Sequence, residues 1–372
     1  MRRVLAPAVA ALAATIALSA NVAGAAADSS FVGPFNHVFT VAPTVPKNGD
    51  INPYGVAVVP RTRGDLVAGQ ILVSNFNNGT NLQGTGTTIM EISPNGKVRQ
   101  FASISASYLP GTCPGGVGLT TALVALSSGW VVVGSLPTRN GMAATAKAGC
   151  LLVLNSWGKV VKVIAGAPIN GPWDMTAVDA GSTAWLFVTN VLNGTVANSP
   201  RVVNRATVVR VGLDGLRGAA PRVTSEVVVA DGLGARTDPA ALVVGPTGLG
   251  VGADGTVYVA DSVANRIDAI PDAETRSAPA KPVAVAGGGA INDPLGLAIA
   301  PNGDILTTNG NDGNLVESTP GGQQVAVKML DTSNTPPGPN GAGTLFGLAV
   351  VPGGSGVWYV DDGANTFNLL SR

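Results

Sequence analysis

Six copies of one short pattern run through this chain, and they leave it few folds to choose from. The stretch from Leu295 to Asn309 reads as a strand of small apolar residues, a tight turn carrying Gly303, a second strand rich in β-branched residues, and a closing Asn. Thr247 to Asp261 repeats it, as do Phe346 to Asp361 and, with a longer turn, Tyr54 to Asn75. Fainter copies run from Ala122 to Ser135 and from Met175 to Asn190. In most copies a second hairpin follows. The clearest spans Ile89 to Phe101 around Pro94-Asn95-Gly96, and others turn at Trp157-Gly158, Asp214-Gly215 and Gly321-Gly322. Glycine supplies the positive φ that such turns require. A four-stranded meander recurring about every 50 residues is the blade of a propeller.

The fold class expected is therefore all-β, a six-bladed propeller of four-stranded antiparallel blades. The chain stops at Arg372, soon after the strand Thr366 to Leu370, so the sixth blade lacks an outer strand. Val38 to Val41, ahead of the first blade, supplies a spare one, and pairing it there would close the ring and cover an open strand edge. Repetition also explains the length: about 345 residues beyond the leader exceeds the usual limit of a single core, but blades that pack only on neighbours escape that limit.

Residues 1–27 have the pattern of a signal peptide. Arg2 and Arg3 precede an apolar run from Val4 to Ala20, and Ala23-Gly24-Ala25 or Ala25-Ala26-Ala27 offers a small-residue cleavage site. The run is short for a membrane span, contains Pro7, and is followed by no lipid-accepting Cys. Residues 28–372 are then one propeller domain, secreted or periplasmic. Charge is balanced at 22 basic against 22 acidic residues, which leaves nothing to neutralise phosphates and argues against a nucleic-acid partner. Nothing later in the chain reads as a membrane span, and a monomer is expected.

Cys113 lies in the connection into the second blade and Cys150 opens that blade's third strand. Both connections emerge on one face of a four-stranded blade, and export favours oxidation, so a disulfide is expected.

Position-equivalent polar residues end each second strand: Asn75, Ser135, Asn190, Asp261, Asn309 and Asp361. Six blades place them in a ring near the mouth of the central channel. The entries to the innermost strands share that face, with Asn52 and Tyr54, Trp173 and Asp174, and Asp293. One reading is a ligand site of amides and carboxylates with Tyr54 and Trp173 as stacking surfaces, whose oxygen donors would suit Ca²⁺ or another divalent cation. The other is that each Asn or Asp caps its own turn.

Val259-Ala260-Asp261, followed by Asn265-Arg266-Ile267, resembles the signature of the NHL-repeat propellers, and the resemblance extends to most of residues 35–372. It implies the fold and little about function, since such propellers bind, sense and catalyse alike. The chain is more distantly similar to propellers of the SMP-30/gluconolactonase and virginiamycin B lyase kinds. Lyases of that kind use channel histidines, whereas His37 is the only histidine here and falls on the closing strand. Gluconolactonase-type enzymes place a Glu with Asn and Asp around a metal, whereas Glu91, Glu226, Glu274 and Glu317 all fall on outer strands or their turns.

Two functions remain open. The first is a binding module that takes an unknown protein, glycan or small molecule on the face bearing the long loops 75–88, 134–149 and 190–205. The alternative is a metal-assisted lactonase-like or lyase-like enzyme with Asp174, Asp261, Asp293 and Asp361 around a cation.

Overall fold

A computed structural model describes residues 30–333 and 338–372. The leader expected at residues 1–27 lies outside the described residues. Their regular structure is almost all strand, with three single-turn helices, and no helix is long and apolar enough to cross a membrane.

The six meanders are six sheets arranged as blades. Their first strands, Ile51–Val58, Leu119–Ala125, Pro172–Asp179, Pro246–Val251, Pro294–Ile299 and Leu345–Val350, line a central channel. Each touches the next, and the sixth touches the first, so the ring is closed. The seal is made by the N-terminal strand His37–Pro43, which pairs antiparallel with the last strand Thr366–Ser371 and becomes the outer strand of blade six. The chain just before it is fastened by Glu317 of blade five, whose carboxylate accepts from Ser30 Oγ at 2.6 Å, Phe31 N at 2.6 Å and Val32 N at 2.9 Å. Glutamates on the third strands thus serve as buried anchors; Glu91 does the same for the Val67 amide of the long blade-one turn.

Every first strand carries a bulge at the same level, between Pro53 and Gly55 in blade one and between Pro172 and Met175 in blade three. The bulge frees backbone groups, and alternate blades satisfy them with one hydroxyl. Ser74, Thr189 and Thr308 each accept from the first-strand amide of their own blade. Each also donates to a first-strand carbonyl of the next blade, at 2.8, 3.2 and 2.7 Å. In blades two and four Thr121 and Ser262 make the corresponding reach to Trp173 O and Pro294 O. Glycine is needed at this level because the blades meet backbone to backbone: a Cβ on Gly347 would strike the Tyr54 carbonyl oxygen, and one on Gly296 that of Phe346.

Blade three departs from the expectation. Its fourth strand is long, Arg222–Asp238. It continues because the start of the third strand, Val203 to Ala206, extends beyond the blade and pairs with Leu233 and Ala235. A short fifth strand, Leu242–Val244, then folds back on it. The disulfide Cys113–Cys150 forms, with Cα atoms 5.4 Å apart, and ties the entry of blade two to the head of its third strand.

Candidate functional site

Four-stranded blades connect strands two to three, and blade to blade, on one face; this is the face with the long loops. Here the loops interlock. Gln83 of blade one donates to Ala240 O, beyond the extended strand of blade three, at 2.6 Å, and Thr138 of blade two donates to Gln83 O at 2.6 Å.

Beneath the loops lies an aromatic plug. Tyr54 stacks on Phe346 at 3.9 Å between centroids and on Phe76 at 4.7 Å, and Trp173 meets both Tyr54 and Phe76 edge-on. Tyr54 and Trp173 are 4% and 3% exposed. The rings expected as stacking surfaces are occupied by each other, because three blades converge there and burying the rings removes large apolar areas from water.

Of the ring of second-strand residues, most are consumed locally. Ser135 Oγ accepts from Gly118 N, the Asn190 amide oxygen from Asn170 N and Gly171 N, and that of Asn309 from Asn292 N. Each braces the entry of its own blade. Asp261 and Asp361 accept from Ala264 N and Ala364 N inside their own turns. Asn75 donates to Thr44 O and Thr88 Oγ1, and its own amide oxygen is buried without a partner.

The Tyr54 hydroxyl feels other residues: burial pushes the phenol well up, the charge of Asp362 adds to the rise, the Asn52 side chain opposes it by a hydrogen bond, and the charge of Asp293 adds a little more. The backbone there is held in an unusual state. Asn52 and Asp293 occupy the same place in blades one and five, each just ahead of a proline, with φ of 63° and 58°. Both amides are gripped from the preceding blade: Asn365 Oδ1 accepts from Asn52 N at 2.8 Å, and Asn265 Oδ1 from Asp293 N at 2.6 Å. Left-handed non-glycine residues cost about 1–3 kcal/mol and tend to mark functional positions. Burial pushes the carboxyl of Asp362 up to about 7, helped by the charge of Asp361. Burial likewise holds Asp293 at about 6, against the opposing effect of Arg236. Asn52 is 7% exposed, and its amide oxygen has no partner.

Asp174 stands apart. It follows Trp173 into the channel below the plug, where the lining is mostly glycine and aliphatic residues. Burial raises its carboxyl to about 7, against the relief of a 2.7 Å bond from Met175 N.

The four carboxylates expected around one cation do not assemble: among the described residues no group of three or more His, Cys, Asp or Glu side chains is placed to hold a metal. Asp261 and Asp361 are committed to their turns, and Asp174 belongs to the channel. Asp362, Asn52 and Asp293 are instead the polar residues that act on the Tyr54 hydroxyl. Sequence reasoning missed Asp362, although the doublet Asp361-Asp362 was a signal. It also missed the clamps, although Asp-x-x-x-Asn recurs at 261/265 and 361/365.

No sequence model of a known family matches this chain, and no curated protein matches it. Solved structures do. A gluconolactonase from Xanthomonas campestris superposes with a TM-score of 0.55 at 13% identity, covering 90% of this chain and 89% of the other. A calcium-binding protein, regucalcin, from Agrobacterium tumefaciens gives 0.51 at 12% identity over 89% and 93%. A streptogramin B lyase gives 0.50 at 14% over 90% and 97%. The kinship expected with gluconolactonase-type and lyase-type propellers holds at the level of the fold.

Proposed function

We propose that this is an exported, metal-assisted enzyme of the lactonase-like or lyase-like kind, working beside the Tyr54 hydroxyl with Asn52, Asp293 and Asp362. The carrying observation is a set of oxygen donors that are ill at ease as they stand. Two carboxyls are pushed toward neutrality by burial, beside a buried amide oxygen that lacks a hydrogen bond. A hard divalent cation such as Ca²⁺ prefers carboxylate and amide oxygens and would draw both carboxyls back to their charged forms. When bound, it would polarise a substrate carbonyl or ring oxygen as a Lewis acid. The chain's own part is positioning. The Asn265 and Asn365 clamps fix the backbone of two donors, and the stacked ring fixes the Tyr54 hydroxyl among them. The likeness in fold to a gluconolactonase, a lyase and a calcium-binding protein supports this reading. The disulfide fits an oxidising compartment, in keeping with export.

The test is thermal unfolding with EDTA, then with Ca²⁺, Mg²⁺ or Mn²⁺ restored, beside a screen of sugar lactones and aryl esters. A cation at 100 times its Kd should add about 2.7 kcal/mol. The shift and any turnover should vanish together in Asp362→Asn and Asp293→Asn. No shift with any cation, and no turnover, would overturn the proposal.

A second reading, a monomeric binding module for a protein, glycan or small molecule, draws on the interlocked loops. They form a continuous platform with a hollow of about 440 Å³ beside Pro137, Arg139 and Lys147. Partner capture abolished by Arg139→Ala but untouched by Asp362→Asn would favour it.

A further inference from the structure

The opposite face holds a larger cavity that the enzyme reading does not use. It is formed where the turns joining strands one to two and three to four of blades one to three come together, and has a volume of about 840 Å³. Small-ligand sites commonly span about 300–1,000 Å³. We infer that this groove binds an acidic oligosaccharide, with Arg61, Arg63 and Arg217 taking its carboxylates and Trp157 stacking on a sugar ring.

The groove is assembled by specific contacts between blades. The long blade-one turn carrying Arg61 and Arg63 docks on blade two through Asp65 N to Ser156 O at 2.9 Å. The blade-three hairpin carrying Arg217 is pinned by Trp130 Nε1, which donates to Leu216 O at 2.8 Å. Between them, Asn155 caps the turn that carries Trp157, accepting from Trp157 N and Lys159 N at 3.1 Å each. That turn holds the indole outward at 65% exposure, whereas Trp130, Trp173 and Trp358 are buried. A rigid turn that spends a tryptophan on water, in a chain with few aromatics, offers a stacking face.

The charge is equally pointed. None of the three arginines forms an ion pair within the described residues. Asp179, the acidic residue of the groove, already accepts from Ser127 N at 2.5 Å and Gly181 N at 2.8 Å. Guanidinium forks match carboxylates two bonds at a time. A lone inorganic anion would leave Trp157 without a role. A nucleotide base would be better served by a slot gripping both faces than by one open ring.

Titration of wild-type protein with tri-galacturonic acid, followed by tryptophan fluorescence and calorimetry, tests the inference. Saturable binding is expected, weakened about tenfold or more by Arg61→Ala with Arg63→Ala, where each tenfold is one decade in Kd. Binding should weaken likewise in Trp157→Ala and be largely kept in Trp157→Tyr. Maltotriose should not bind, and Asp362→Asn should bind the acid sugar as wild type does, which separates this site from the proposed catalytic one. Circular dichroism of each variant confirms folding. No binding, equal binding of maltotriose, tighter binding of AMP or inorganic phosphate, or indifference to the arginine variants would each overturn it.

Discussion

Replacing Asp174 by asparagine should leave the protein as stable as before in acid and make it more stable above neutrality. The carboxyl sits in the channel under the aromatic plug, among glycines and aliphatic side chains, with one amide to comfort its charge. In the unfolded chain it titrates near 3.8; in the folded protein burial moves it to about 7. Below pH 3.8 both states carry the proton and the group costs nothing. As the pH rises the unfolded chain releases its proton first, so the folded state loses ground until the native carboxyl ionises too, and the loss then levels off. At about 1.4 kcal/mol per pH unit the full span is about 4 kcal/mol. Asp174 is partly open to the channel, and water there should reduce the figure to about 2–3 kcal/mol. Asparagine keeps the acceptor for Met175 N and has no charge to bury. Urea unfolding of wild type and Asp174→Asn at intervals from pH 4 to 8 gives the answer as a difference, in which the other raised carboxyls cancel. The difference should be small at pH 4, grow toward pH 7 and plateau by pH 8. A flat difference, or one favouring wild type at pH 8, would refute the reasoning.

Reducing Cys113–Cys150, or Cys150→Ser, should lower stability by about 3–4 kcal/mol, read as a fall in urea midpoint with and without dithiothreitol. Thr308→Val keeps the shape but strands the Gly296 amide and deprives the Phe346 carbonyl; a loss of about 1–3 kcal/mol should appear as a lower melting temperature. Gly347→Ala drives a methyl group into the Tyr54 backbone and should cost about 1–3 kcal/mol, whereas Gly353→Ser meets no neighbour and should cost only the backbone strain of a side chain at a φ of 88°. Asn365→Ala frees Asn52 from its left-handed conformation, and should abolish any cation-dependent rise in melting temperature while leaving the far groove's ligand binding intact.

The blade is a local object, and that is why it was legible in the sequence. Alternation, Gly-bearing turns and the spacing between Thr247, Leu295 and Phe346 all act within one meander. The blade count, the closing role of Val38 to Val41 and the pairing of Cys113 with Cys150 followed from repetition and strand parity alone. What one blade does to the next was not legible. That Tyr54 would be spent on Phe346, or that Asn265 and Asn365 would each grip the next blade's entry, depends on side chains far apart in the chain. The same holds for Arg61 and Arg63, Trp157 and Arg217, which arrive on turns of three blades. Closing the ring fixes which side chains face one another across each seam, and no periodicity within a repeat carries that information. Burying each strand's apolar face admits few arrangements, so the architecture could be read from the residues. The proposed site could not, because its donors belong to different blades and share one face when the ring is complete.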